Sequence, residues 1–186
     1  FPVSAGAYQT AFGFGVNEDG TNPNGYDIAI IKFSANGANR LFATYLGGSR
    51  NEQPHSMICD AQGNLFVAGR SNSNNYPGTP GRPITRTDYD IVITKLNAAG
   101  TLALGAVGIG GSSNDGVNIR GKYINPDGVD ATRRNYGDDA RSEIILDAAG
   151  NVLVASCTQS SDFPVTPGTP IQGVFGGGRQ DGVILK

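Results

Sequence analysis

His55 is the only histidine in the 186 residues, and a lone histidine excludes a zinc site built from several imidazoles. To act as a general base it would need an activated serine. Neither Ser49 nor Ser112 stands in the G-x-S-x-G setting that presents a nucleophile on a sharp elbow, and His55 falls where the second copy of an internal repeat has Ser142. The stretch VGIGGSSNDG, residues 107–116, has the glycines of a phosphate loop, but no Lys-Ser or Lys-Thr and no helical spacing follow it. Asp60 and Asp147 head the turns DAQGN and DAAGN. Calcium there would need several more oxygen ligands at the spacing of an EF-hand loop, and they are missing. No catalytic residue, metal site or cofactor is expected.

Recognition chemistry concentrates in one inserted loop, residues 113–136, SNDGVNIRGKYINPDGVDATRRNY. Arg120, Lys122, Arg133 and Arg134 stand there beside Asp115, Asp127 and Asp130, with Tyr123 and Tyr136 as aromatic anchors. Long loops inside compact domains are uncommon and often functional. Tyr123, Asp127, Asp130, Arg133, Arg134 and Tyr136 are therefore the binding candidates, for another protein or a glycan. The competing readings are a solvated decoration covering a sheet edge, and calcium held by Asp127, Asp130 and nearby carbonyls. A second enlarged loop, GFGVNEDGTNPNG, occupies residues 13–25.

The residues that carry these loops repeat. DAQGNLFVAGRSNSNNYPGTPG, residues 60–81, returns as DAAGNVLVASCTQSSDFPVTPG at 147–168, with half of its positions unchanged. YDIAIIKFSANG at 26–37 returns as YDIVITKLNAAG at 89–100, and DGVILK at 181–186 opens a third copy. Gly47-Gly48-Ser49 returns as Gly110-Gly111-Ser112, and FPVSAGAYQTAF at 1–12 is echoed by FPVTPGTPIQGVF at 163–175. A side chain present in every copy is a poor catalytic candidate, because an active site is built once from convergent groups. Asp27, Asp90 and Asp181, with Lys32, Lys95 and Lys186, are accordingly read as turn-bonding groups or partly buried ion pairs.

Each copy reads as four short strands. Residues 27–33 are nearly continuous apolar sequence, as in a strand covered on both faces, and 41–46, 56–60 and 65–70 supply the rest. Asp60 is expected to accept from backbone N–H groups two or three residues on, with Gly63 left-handed to close the hairpin. Twenty-eight glycines and ten prolines against 16% charged residues suit a chain of many tight turns. Four antiparallel strands cannot bury both faces alone, so such units stack around an axis as propeller blades. The expected fold is all-β: a partial β-propeller of consecutive four-stranded antiparallel blades, with no helix. One incomplete segment is expected over 1–186: a lead-in strand and loop at 1–26, a blade at about 27–71, a connector at 72–89, a blade at about 90–158 carrying the insertion 113–136, a connector at 159–180, and the first strand of a further blade at 181–186.

In order and more than once, FPVTPGTPIQGVFGGGRQDGVILK, ATYLGGS at 43–49 and DAQGNLFVAG at 60–69 resemble the bacterial β-propeller repeat family called SBBP. The resemblance implies a secreted or surface-exposed bacterial propeller, commonly one module of a large protein. Some relatives carry signals for type IX secretion, and adhesion is among the roles it suggests. The second copy departs from the pattern, with LALGAVGIGGS at 102–112 in place of the ATYLGGS sequence.

A net charge of −2 gives no basic footprint for nucleic acid or anionic membrane, and no apolar run approaches the roughly 20 residues of a membrane helix. Neither nucleic acid nor membrane insertion is expected. The expected partners are the remaining blades of the same polypeptide and, beyond them, another surface protein or a glycan. Pairing of Cys59 with Cys157 stays open, since the two fall at different places in the repeat. The function expected is a non-catalytic spacer or interaction platform on a bacterial surface. The alternative is part of a carbohydrate-active propeller enzyme whose catalytic groups lie elsewhere in the ring.

Overall fold

The computed structural model describes residues 1–14, 25–78, 88–116, 142–168, 170–178 and 180–186. Nine strands and no helix form within them: β1 (Ile28–Phe33), β2 (Arg40–Leu46), β3 (Glu52–Cys59), β4 (Leu65–Ser71), β5 (Asp90–Leu96), β6 (Ala103–Ile109), β7 (Glu143–Leu146), β8 (Val152–Thr158) and β9 (Asp181–Leu185). The Asp60 turn forms with a small difference from expectation. Its Oδ1 accepts from the backbone N–H of Gln62 at 3.0 Å and Asn64 at 2.8 Å, two and four residues on, while Gly63 takes φ 80°.

All pairing is antiparallel, in three sheets ordered β1-β2, β3-β4-β5-β6 and β7-β8-β9. These sheets do not follow the expected blade limits of 27–71 and 90–158. The middle sheet takes β3 and β4 from one copy and β5 and β6 from the next, in the register Ala68↔Ile93. Among the described residues no ladder joins β2 to β3 across Gly47-Gly48-Ser49, whereas β5 pairs with the edge of β4. Residues 72–89 thus separate, in sequence, two strands of one sheet. The insertion, by contrast, joins β6 to β7 and so links one sheet to the next.

Two apolar layers hold the sheets together. Ile28, Ile30, Phe42 and Leu46 of the first sheet meet Leu65, Val67, Val92 and Leu96 of the middle one, with Tyr76 sealing the layer through a 2.9 Å hydrogen bond to Thr94. On the other side, Phe66 and Ala68 meet Ile144 and Val154, flanked by Ile58, Ile93, Leu146, Val152 and Leu185. Among the described residues only the middle sheet is covered on both faces. β1, expected to be buried on both, hides Ile28 and Ile30 but leaves Ile31 40% and Phe33 55% exposed, because no sheet packs on its other side among the described residues. Residues 1–14 run along the outer edge of β2, where Ser4 N donates to Ala43 O and Tyr45 N to Gln9 O. That edge is thereby blunted.

Candidate functional site

A polar cluster forms at the corner where β2 hands over to the next sheet. Glu52, at the start of β3, is 1% exposed. Its Oε1 accepts from Ser71 Oγ at 2.6 Å and its Oε2 from Gly48 N at 3.1 Å. Around it, Arg50 N donates to Ser73 Oγ, Ser49 N to Asn75 Oδ1 and Tyr26 N to Asn51 Oδ1. The corner peptide has left both sheets, so side chains supply the acceptors that a strand ladder would otherwise provide.

Asp27 closes the corner from the first sheet. Its Oδ2 accepts from Gly13 N at 2.8 Å and from Gln9 Nε2 at 3.3 Å. Its buried Oδ1 has no hydrogen-bond partner. A Cβ on Gly47 would stand 2.5 Å from that Oδ1 and 2.7 Å from Glu52 Oε2, so only glycine lets the two carboxyls converge. Burial pushes the pKa of both groups up, and at Glu52 the neighbouring Asp27 charge adds to the effect. A proton on either carboxyl would let it donate to the other.

The same corner is built again 63 and 87 residues on. Gly111 N donates to Asp115 Oδ2 at 2.6 Å, and Asp115 also accepts from Thr158 Oγ1 and, at 2.9 Å, from Ser160 Oγ. Ser113 N donates to Ser160 Oγ, Ser112 N to Asp162 Oδ1 and Tyr89 N to Asn114 Oδ1. A third corner begins where Gly176 N and Gln172 Nε2 donate to Asp181 Oδ2, as Gly13 and Gln9 do to Asp27. The recurring lysines bond the hairpin turns: Lys95 Nζ lies 3.2 Å from Asp60 and Lys186 Nζ 2.8 Å from Asp147. The Lys186 and Asn151 contacts hold the Asp147 carboxyl below the usual carboxylate range.

His55 lies where β3 meets β7. Its Nδ1 is 3.1 Å from Ser142 Oγ, which is 2.7 Å from Ser156 Oγ, and nearby Ser56 Oγ donates to Glu143 Oε2 at 3.1 Å. Burial, aided by the Arg70 charge, lowers the imidazole pKa to about 4. The ring is therefore neutral at neutral pH and a weak base, and Ser142 is only 1% exposed. Such an arrangement stitches two sheets and is poorly suited to activating a nucleophile.

The sequence-derived binding candidates Tyr123, Asp127, Asp130, Arg133, Arg134 and Tyr136 lie outside the described residues, as do Arg120 and Lys122. Of the charged residues named in the insertion, Asp115 is described, and it serves the second corner. Among the described residues no group of three or more His, Cys, Asp or Glu converges as metal ligands, and Cys59 and Cys157 are both free thiols. Sequence reasoning missed Glu52, Ser73 and Ser160, and it grouped Asp115 with the insertion rather than with the corner. The available signal was the pair of hydroxyls two residues apart, Ser71/Ser73 and Thr158/Ser160, at the repeat's own offset.

Residues 41–77 match the SBBP family model, described as a beta-propeller repeat. That span is similar to one such repeat, and it runs from β2 through the first corner to the end of β4 and beyond. It crosses the same sheet boundary that the corner marks. No curated protein matches the chain in sequence.

Proposed function

We propose that the chain is a non-catalytic β-propeller segment of a secreted bacterial cell-surface protein, serving as a rigid spacer and as a platform for protein or glycan contacts. In this reading the three sheets are parts of consecutive four-stranded blades, completed by further blades of the same polypeptide. One observation carries it: the polar corner occurs twice with equivalent partners, and in each copy the carboxylate and a serine hydroxyl accept from backbone N–H groups of their own corner. Chemistry that repeats with the architecture is architectural, which leaves recognition to the segments that differ between copies, the 13–25 loop and the 113–136 insertion.

Limited proteolysis of intact source cells, followed with an antibody to the segment, tests the location. The segment should be cleaved without lysis; protection until lysis would contradict a surface role. A glycan and surface-protein array tests the platform, with binding expected to fall when Arg133, Arg134 and Tyr136 are replaced together by Ala. Turnover of a glycan by the chain would instead favour the carbohydrate-active reading.

A further inference from the structure

Asp27 and Glu52 stand on opposite sides of a sheet junction, Asp27 immediately before β1 and Glu52 at the start of β3, and both carboxyls turn onto the gap left by Gly47. Their hydrogen bonding is unequal. Both oxygens of Glu52 accept, Oε1 from Ser71 Oγ and Oε2 from Gly48 N. On Asp27 only Oδ2 does, from Gly13 N and Gln9 Nε2, while Oδ1 is shut off from solvent with no donor beside it among the described residues. Two glycines wall that oxygen: a Cβ on Gly13 would lie 3.3 Å from it and one on Gly47 2.5 Å. The polar group it does face is the Glu52 carboxyl, within hydrogen-bond reach.

Two ionised carboxylates have no hydrogen to put between them, and a buried charged oxygen without a donor is costly. One proton removes both defects, because a protonated carboxyl keeps an accepting oxygen and turns the other into a donor. We propose that the pair shares one proton, carried on Asp27 Oδ1 and donated to Glu52 Oε2, and that this bond ties the first sheet to the middle one. Placed there, it leaves every other hydrogen bond of the corner as it stands. On Glu52 it would weaken an oxygen that already accepts from Gly48 N or Ser71 Oγ.

The electrostatics agree with the geometry. Burial raises the pKa of both carboxyls, and the Asp27 charge raises that of Glu52 further. What lowers them among the described residues is hydrogen bonding, with no cation contributing. Arg50 joins the corner through its backbone N–H. The titratable neighbours are Tyr8 and Tyr76, whose hydroxyls burial pushes up, so both stay uncharged while the carboxyls titrate. The second corner repeats the convergence, since Asp90 Oδ1 and Asp115 Oδ2 both crowd the place of a Cβ on Gly110. Because the folded pKa is raised, the contribution is complete below the ordinary carboxylate range and is lost as pH rises through the raised value. The junction is thus fastened by acid and loosened by base.

Asp27→Asn puts a permanent N–H donor where the proton sits and keeps the oxygen that accepts from Gly13 and Gln9. In thermal melts of the full chain, its advantage over wild type should grow by roughly 2–4 °C between about pH 5 and about pH 8.5. Glu52→Gln exchanges an accepting oxygen for a donor and should melt below wild type throughout. In the wild type, carboxyl carbon-13 shifts should show Asp27 Cγ protonated over a pH range in which Glu52 Cδ is ionised. A pH-independent difference for Asp27→Asn would overturn the proposal, as would the reverse order of protonation or loss of both protons in the ordinary carboxylate range. Added calcium should leave the melting temperature unchanged. A rise with calcium that Asp27→Asn abolishes would put a cation in place of the proton, and overturn it too.

Discussion

β1 and β5 carry nearly the same sequence and live in different surroundings. On β5, Val92, Thr94 and Leu96 are at most 1% exposed, because the first sheet packs on them. Their counterparts on β1 are Ala29, Ile31 and Phe33, which face away from the middle sheet that packs on Ile28 and Ile30, and Ile31 and Phe33 are 40% and 55% exposed. Burial here belongs to a strand's place in the stack. The middle sheet has a neighbour on each face and the first sheet on one among the described residues, and that difference decides which apolar side chains are buried.

The contrast should be widest for large apolar groups. Leu96→Ala removes a side chain that is 0% exposed and should cost about 2–5 kcal/mol, while the equivalent Phe33→Ala should cost less than about 1 kcal/mol, both read by urea denaturation. Equal losses would mean that β1 is covered on its outer face after all. Next come the two corners, where the comparison should vanish. Glu52→Ala and Asp115→Ala each strand buried hydroxyl and amide donors and should each cost about 3 kcal/mol. A loss at one corner only would show that the two are not the same device.

The strands and hairpin turns were legible in the sequence because they depend on local chemistry: apolar runs of six or seven residues, and Asp60 and Gly63 in a turn short enough to need them. The grouping of strands into sheets was not. A repeat reveals its period, but any cyclic shift of the unit aligns equally well, so 27–71 and 52–109 are indistinguishable as sequence. The choice is made by which edge β5 pairs with, a non-local outcome that the letters of the repeat do not record. The corner was half legible. Gly47-Gly48-Ser49 and Asp27 recur by identity, whereas Glu52 becomes Asp115 and Ser71 becomes Thr158. Their chemistry persists while their letters change, and a comparison by identity passes over them. His55 was placed correctly opposite Ser142 in the repeat, but its contact with that serine joins two different sheets and has no local signature.

A pH series sharpens the comparison at the sheet junction, where His55 is present in one copy and Ser142 stands in the other. The imidazole pKa is depressed in the folded chain, to about 4 from an ordinary value near 6.5. Its contribution is therefore complete above about pH 6.5 and is lost as pH falls toward 4. Between pH 7 and 5 the loss should be about 2 kcal/mol, and His55→Gln should remove that part of the slope. Asp27 and Glu52 act with the opposite sign, since raised carboxyl pKa values make the folded state gain stability as they take up protons. The difference between wild type and His55→Gln isolates the histidine. An unchanged slope in the variant would contradict this account of the junction.

The smallest contrast lies in the turns. Gly37 and Gly100 both have positive φ, 72° and 68°, so Ala at either should cost about 1 kcal/mol in backbone strain. Gly100→Ala should cost more, because its new Cβ would overlap the Phe42 ring, whereas the Cβ at Gly37 meets open space.

The most direct test of the central claim is the cross-strand amide contact map of the labelled chain by nuclear Overhauser spectroscopy. If sheets straddle the sequence repeats, β4 and β5 give contacts in the register Ala68↔Ile93 and Val67↔Thr94, and β2 and β3 give none. A ladder joining β2 to β3, with β4 and β5 unconnected, would restore 27–71 as the sheet and contradict the architecture described.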